Sequence, residues 1–480
     1  MNLLFVLFLC IYIGLVFTIS FFFSQKMKGV EDFFLASRNL PTYLVTLTLC
    51  ASWFGASSTL VSVDEAFSKG LSSFWVIGMP TILTVLILGI FFSKTIRRLP
   101  IISLPDLVEM RYGKLVRNLA AILIFWYMIV LTASQMVALG QFLKTFLGTS
   151  YLMSLAIGTA VVLVYSTFGG FRSVVLTDTL QFFLLTFGMF SLFFILFKSS
   201  DFSQVIDLSH QLGKKDYFNF FFDFKRNFLI TLSFTLAWTI SPIAWQRIQA
   251  AQTEKKAQQG MLYSAGIFLL LYSTVVAIGM LCLPVLPRKL NAPVLSELIS
   301  SHIGVVLGGI LFVALIAAIM STMDTAINTG ALTFTRDFYQ RYFSANEIKG
   351  TILISRLATL IVGLLAFLVA SQFQSILKTL GLASEIMAEG LFIPGVAMVF
   401  MKRYYPKAAL FSLILGGGFS VVSFLTEIKI IPFALPSWPY SLPYGLTLSL
   451  SGFLLGIILE NVSFTSSNKP SKSIQKKPEQ

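Results

Sequence analysis

Charge is what this sequence has least of. Only 12% of its 480 residues are charged, against 56% that are apolar, and Phe alone counts 48. Soluble proteins carry about a quarter of their residues as charge. So few charges cannot cover a soluble surface, and the mean hydropathy of +0.83 points the same way. A secreted domain, a cytosolic enzyme and a disordered scaffold are excluded; the apolar runs need lipid as solvent. Histidine is almost missing. His210 and His302 lie far apart at or near loops, which argues against a His-based metal site. The three cysteines, Cys10, Cys50 and Cys282, sit inside apolar runs and form neither a metal spacing nor a disulfide framework. No inner loop carries a Gly-x-x-x-x-Gly-Lys pattern, so ATP hydrolysis is not expected on this chain.

What the chain does have is about thirteen apolar runs long enough to cross a bilayer as helices. They cover roughly 2–23, 41–67, 73–93, 116–147, 150–169, 173–197, 227–247, 260–285, 303–335, 351–371, 382–401, 408–426 and 441–460. The first run has no basic stretch before it and is followed by Lys26 and Lys28, so it reads as a span and not a signal peptide. The net charge of +14 fits short loops that fix orientation, since no nucleic-acid-binding signature accompanies it. With the N-terminus outside, about 23 of the 35 Lys and Arg fall on the cytoplasmic side, Arg117, Arg172 and Arg247 among them, and about 11 outside. That excess predicts N-out, C-in. The Ser-, Lys- and Pro-rich tail, 461–480, reads as disordered and is too short for an output domain.

Two spans carry helix breakers in mid-membrane. The second has Gly55 and four Ser or Thr between Ala51 and Thr59; in the seventh, Pro242 follows Ser241. Unwound backbone is tolerated in a bilayer only where it lines a cavity or is buried in protein. Freed carbonyls can hold a cation, and a half-helix N-terminus can hold a carboxylate. Ordinary small-residue packing and a plain proline kink are the alternatives. The two breaks lie five spans apart in spans of opposite sense, which is what an inverted repeat of five plus five spans predicts. The ninth span packs Ser321, Thr322, Asp324, Thr325, Asn328 and Thr329 into nine residues. Residues 321, 325, 328 and 329 share a helix face, with 322 beside them. Oxygens at this density suit a hard monovalent cation, and a carboxylate inside a span is costly and usually functional. The alternative for Asp324 is a structural hydrogen bond to a neighbouring helix.

Several motifs in order resemble the sodium/solute symporter family, which includes sodium-coupled proline, pantothenate, sialic acid, sugar and choline transporters. They are DFFLASRNLP, SLPDLVEMRYG, YSTFGGFRSVVLTDTLQ, WQRIQAA and AAIMSTMD, spread over most of 30–405. The resemblance implies an all-α polytopic fold with a LeuT-like five-plus-five inverted-repeat core. The chain then divides into an extra span and inner loop (1–40), a first repeat (41–198), an outer loop (199–226), a second repeat (227–401), two further spans (402–460) and the tail. The resemblance also implies sodium, Na+, as coupling ion, held by carbonyls of Ala51, Phe54 and Ala318 and hydroxyls of Ser321 and Thr322. A second cation site, by position, would use Asp178, Asp324 and Thr325. Asp178 has two plain alternatives, an exposed helix-end carboxylate or a salt bridge to Arg172.

Trp53 stands where proline-transporting members carry an Asp, which speaks against proline. The stretch ASWFG is similar to the choline-type branch, where rings hold a quaternary ammonium by cation–π attraction. Trp53, Trp126, Tyr127, Trp238 and Trp245 are candidates for such a cage, with interfacial or core packing as the alternative for each. The expected solute site takes in Trp53, Gly55, Ser57, Trp238 and Ser241. The expectation is thus a sodium-coupled secondary active symporter that imports a small organic solute by alternating access, with no enzymatic step. Its expected partners are that solute, sodium and the lipid bilayer of the cell membrane, and no nucleic acid. Proton coupling through Asp178 or Asp324, and a choline-type quaternary-amine substrate, are the competing readings. One sodium moving down a tenfold gradient and a 100 mV potential supplies about 3–4 kcal/mol, enough for a few-hundred-fold accumulation of a neutral solute.

Overall fold

The computed structural model describes residues 3–24, 35–167, 171–200, 202–287, 290, 292–343, 348–432 and 434–467. The DFF that opens the first motif, Gly169–Gly170 and the tail beyond residue 467 lie outside these residues. The described chain is helical, with no strand; one isolated bridge pairs Leu40 with Ala251. That bridge ties the approach to the second span to the end of the seventh. Leu40 N–H donates to the Ala250 carbonyl at 2.9 Å, and Gln252 N–H to the Leu40 carbonyl at 2.9 Å.

Among the described residues, ten helices are long and apolar enough to cross a membrane, or eleven if one bent pair is counted as a span. Two shorter apolar helices, Thr42–Trp53 and Tyr151–Ser166, accompany them. The principal helices are α1 (Leu3–Ser24), α2 (Thr42–Trp53), α3 (Ser62–Lys69), α4 (Gly78–Ile87), α5 (Lys114–Leu147) and α6 (Tyr151–Ser166). They continue as α7 (Phe171–Ser199), α8 (Phe224–Thr239), α9 (Pro242–Ala250), α10 (Glu254–Leu281), α11 (Val305–Leu332) and α12 (Ile348–Ala370). The last are α13 (Ile376–Glu385), α14 (Phe392–Phe400), α15 (Pro406–Ser412), α16 (Gly418–Glu427) and α17 (Leu442–Ser467). The final helix therefore runs seven residues into the segment read from sequence as tail. α5 and α11 are buried along most of their length. α1, α12 and α17 present Leu, Ile, Phe and Val side chains outward, as lipid contact requires.

The breaks fall where the sequence has its Gly and Pro. α2 stops at Trp53, Phe54 leaves the helical region (φ −95°, ψ 57°), and the chain re-enters helix through a π-helical turn at Ser57–Val61. α8 and α9 meet at a 44° bend across Ile240–Ser241, with Pro242 as the first residue of α9. Proline suits that position because the first helical N–H has no intrahelical partner to lose.

Two arginines counted as loop charges are core residues instead. Arg117 is buried and donates to the Asp337 backbone carbonyl at 2.6 Å, while Ser103 Oγ donates to Asp337 Oδ1 at 2.9 Å. Arg247 is fully buried. Sequence position beside a loop hid both, because burial depends on partners from other helices that the local sequence does not show.

Packing relies on a few close backbone approaches. A Cβ placed on Gly279 of α10 would lie 2.5 Å from Ala66 Cβ and 2.6 Å from the Val63 carbonyl oxygen, whereas one on Gly266 of the same helix meets nothing within 4 Å. Gly279→Val should therefore destabilise the fold by about 1–3 kcal/mol, the usual cost of overpacking. Gly266→Val should leave the melting temperature of the purified protein unchanged. Equal melting temperatures for the two variants would contradict the α3–α10 contact.

Candidate cation and solute site

The unwound residues between α2 and α3 face α11. A Cβ on Gly55 would lie only 2.1 Å from Thr322 Oγ1 and 3.0 Å from Gln135 Oε1, so glycine is what lets the break close on α11. Thr322 Oγ1 is buried there with no hydrogen-bond partner. Gln135 of α5 accepts the Ala56 N–H at 3.2 Å, which satisfies one donor freed by the break. The expected carbonyl contributors Ala51, Phe54 and Ala318 are all buried.

Beside Thr322, Ser321 points to α7. Its hydroxyl donates to Asp178 Oδ1 at 2.7 Å. Asp178 Oδ2 accepts from Thr48 Oγ1 at 2.6 Å and from Ser52 Oγ at 2.9 Å. Arg247 of α9 lies 3.6 Å from the same oxygen. Its Nη2 donates to Ser52 Oγ at 2.7 Å and Thr325 Oγ1 at 3.0 Å. Asp178 is thus neither exposed nor at a helix end; it is fully buried and pairs with Arg247, while the Arg172 side chain lies outside the described residues. Asp324 stands apart from this cluster. Tyr165 of α6 donates to its Oδ2 at 3.0 Å, and Oδ1 has no partner. Asp178, Ser321 and Thr325 are brought together; Asp324, one residue from Thr325, turns to another helix, as adjacent residues on a helix must.

A small cavity of about 40 Å3 adjoins the break. Trp53, Ser57, Trp238 and Ser241 line it with Tyr127, Gln135 and Thr322. Gly55 stands behind Thr322 and Gln135. No charged side chain is among the lining residues. Trp53 and Trp238 are in ring contact, centroids 5.8 Å apart, and Trp238 stacks on Phe234 at 4.7 Å. The other two candidate cage residues are elsewhere. Trp126 packs edge-on against Phe424 at 4.9 Å, and Trp245 donates its indole N–H to the Thr239 carbonyl at 2.9 Å. Trp126 and Tyr127 are neighbours on one helix, so only one of them can face the cavity.

Sequence reasoning missed Gln135 and Arg247. Both left signals: Gln135 is an isolated amide in the middle of a long apolar run. Arg247 comes five residues after Pro242, about 7.5 Å along a helix that restarts at mid-depth.

Comparison with known proteins identifies the family. The model of the sodium:solute symporter family matches residues 33–416. The chain is 25% identical to a sodium/glucose cotransporter of Vibrio parahaemolyticus, over 89% of this chain and 85% of that one. It is 26% identical to a sodium/pantothenate symporter of Haemophilus influenzae, over 95% and 97%. Among solved structures, a Na+-coupled sialic acid symporter in a substrate-bound outward-open state aligns with TM-score 0.80 and 17% identity, over 95% of this chain and 98% of that one. MhsT in complex with L-phenylalanine aligns with TM-score 0.52 and 14% identity, over 86% and 97%. The chain therefore belongs to the sodium:solute symporter family: it is a transporter and not an enzyme, and it couples the import of a small organic solute to sodium.

Proposed function

We propose that sodium binds between the break after α2 and the middle of α11, and that the solute occupies the adjoining cavity. The sodium ligands are the carbonyls of Ala51, Phe54 and Ala318 and the hydroxyls of Ser321 and Thr322. The observation that carries this reading is Thr322 Oγ1, buried without a partner against Gly55 and lining the solute cavity at the same time. An ion there touches both the broken helix and the wall of the solute site, so each ligand orders what the other needs. Ser321 supports it as well. Its hydrogen goes to Asp178, which leaves its oxygen lone pairs for a cation.

Arg247 takes the place of a second sodium. Its guanidinium engages Thr325 and Ser52 and faces Asp178, two of the three residues a second cation would use. A fixed cation in that position leaves one mobile cation per cycle.

The solute is neutral or zwitterionic, with an apolar part against Trp53 and Trp238 and a few hydrogen-bonding groups that reach Ser57, Gln135 and Ser241. The lining offers hydroxyls and an amide but no counter-charge. The two indoles touch each other, which leaves no slot for an ammonium between them; a cage needs faces that a cation can reach. The half-helix N-terminus at Ser241–Pro242 suits a carboxylate of a zwitterion. Alternating access arises from two five-span repeats, 41–198 and 227–401, each with its break in its first span. The N-terminus lies outside and the C-terminus inside the cell membrane.

Uptake into proteoliposomes from a panel of labelled solutes, with and without sodium, tests the assignment. Sodium-dependent uptake is expected for a neutral or zwitterionic member and not for choline. Ser321→Ala with Thr322→Ala should lower sodium affinity more than tenfold while folding and insertion persist; unchanged sodium dependence would place the site elsewhere. Reversal-potential measurements with the transported solute should give one sodium per solute, and a ratio of two would remove Arg247 from the role given to it here.

A further inference from the structure

The span that begins at α13 carries two glutamates four residues apart, in the stretch GLASEIMAEGLF. Glu385 ends α13, and Glu389 sits in a π-helical turn, Ile386–Leu391, before α14. Both are fully buried. A second π-helical turn, Leu413–Gly417, lies against the first, between α15 and α16. Single π-turns are rare and concentrate where function bends a helix. Here glycine brings the backbones together. A Cβ on Gly416 would lie 2.0 Å from the Glu389 carbonyl oxygen, and a Cβ on Gly445 would lie 2.1 Å from Glu389 Cδ. The Glu389 carboxyl is thus pressed on the first turn of α17.

Glu385 is provided for. Ser441, just before α17, donates to its Oε1, and Ser423 of α16 donates to Oε2 at 3.3 Å. Glu389 is not: neither carboxyl oxygen has a partner. Nor is a counter-ion at hand among the described residues. Lys378 of α13 is half exposed and paired with Glu427 of α16. α8 has ionisable groups only at its start, Lys225 and Arg226, and Arg226 is held by Glu65 at 3.1 Å. α5 has Lys114, Arg117 and Lys144 near its ends, with Arg117 at Asp337, and Tyr127 in the solute cavity. α17 has Tyr444, exposed, and Glu460 at its far end. The turn 57–61, α14 and the turn 413–417 have no ionisable side chain. The first turn of α17 supplies about half a positive charge. That can steady one carboxylate but not two, and two adjacent carboxylates without a cation cannot both stay ionised.

We propose that Glu385 and Glu389 form a proton-binding site, separate from the sodium site, with the proton carried on Glu389 and exchanged through Glu385 and Ser441. Ser441 lies three residues after Trp438, which with Lys378 lines a wide cavity that also contains Glu65, Gln141 and Arg226. That cavity is the water end of the route. Gly445 closes directly on the carboxyl and Gly416 on the Glu389 backbone, so the carboxyl suits a proton and not a metal ion with its shell of oxygens. Sodium stays the coupling ion. The proton sets how α13 and α14 seat against α15–α17, because a second ionised carboxylate at the first turn of α17 has no charge to answer it.

Infrared difference spectra of the full-length protein in lipid, recorded across pH at fixed sodium, test this. The wild type should show a protonated-carboxyl C=O band that bleaches as pH rises. Glu389→Gln, which keeps the shape of the neutral acid, should lose the band; Glu389→Asp should shift it; Asp324→Asn should retain it. A band that survives Glu389→Gln, or one that never titrates, would overturn the site. In a second series across sodium at fixed pH, a band that responds to sodium while the first series shows no response to pH would overturn it too, in favour of a metal ion.

Discussion

A carboxylate buried in a bilayer has to collect its own solvation from the protein, and Asp178 does so from three other helices at once. α2 sends Thr48 and Ser52, α11 sends Ser321, α9 sends Arg247, and Asp178 itself stands on α7. Losing one partner of a buried ion pair costs about 3–5 kcal/mol, so these helices are held in one arrangement more firmly than lipid-facing packing would hold them. The cluster lies beside the break after α2, and the two features depend on each other. Ser52 is in the last turn before the break and hydrogen-bonds both Asp178 and Arg247. Ser321 is next to Thr322, which lies against Gly55 on the far side of the break. The helix end is anchored from one side, so the unwound residues have a fixed frame against which an ion can be held.

The second constraint is the accounting of backbone hydrogen bonds. Unwinding Phe54 and Gly55 removes helical partners where no water can replace them. The Gly55 carbonyl keeps two donors, the Thr59 N–H at 3.1 Å and Thr59 Oγ1 at 3.0 Å, and Gln135 takes the Ala56 N–H. The wide turn at Ser57–Val61 then restores helix. The break after α8 is settled differently. Trp245 reaches back to the Thr239 carbonyl, and Trp245 N–H to the Ser241 carbonyl opens α9. Both devices use side chains four to eighty residues distant, which is why a break of two residues survives without loosening the spans around it.

Much of this was legible in the sequence, for physical reasons that also mark where legibility ends. Gly55 and Pro242 announce themselves because breakers inside apolar runs have few other uses. Ser321, Thr325 and Thr329 announce a face because helical periodicity is local. The face holds: Ser321 reaches Asp178, Thr325 reaches Arg247, and Thr329 lies 3.4 Å from Gln246 Oε1. Partners across helices were not legible. Asp178 looked like a helix-end acid beside Arg172, and only the packing of α9 on α7 reveals its partner. Arg247 and Arg117 looked like orienting loop charges because hydropathy windows assign charges to the nearest loop. Two of the five aromatic candidates lie away from the cavity for a related reason: Trp126 and Trp245 are close in sequence to cavity residues but are turned about the helix axis toward Phe424 and Thr239. Glu385 and Glu389 were passed over because the surrounding Leu, Ile, Met and Ala carried the window.

Charge balance joins these observations to transport. The Asp178–Arg247 pair is neutral as a unit, and the five ligands of the proposed sodium site are neutral oxygens, so a sodium held there would add a full positive charge to the middle of the protein. The solute cavity adds none of its own. A cycle that carries one such charge across the membrane therefore draws on the membrane potential, about 2.3 kcal/mol per 100 mV, as well as on the sodium gradient. Had Arg247 been a neutral residue, Asp178 would be left without a counter-charge, and in the proposed scheme a second sodium would fill the position. In the proposed one-sodium cycle the fixed guanidinium removes that need at the cost of half the electrical driving force a two-sodium cycle would command. The neutral lining of the cavity follows from the same balance: a solute of net charge zero leaves the full potential drop to sodium, and a side-chain charge in the cavity would require a second desolvated ion to answer it.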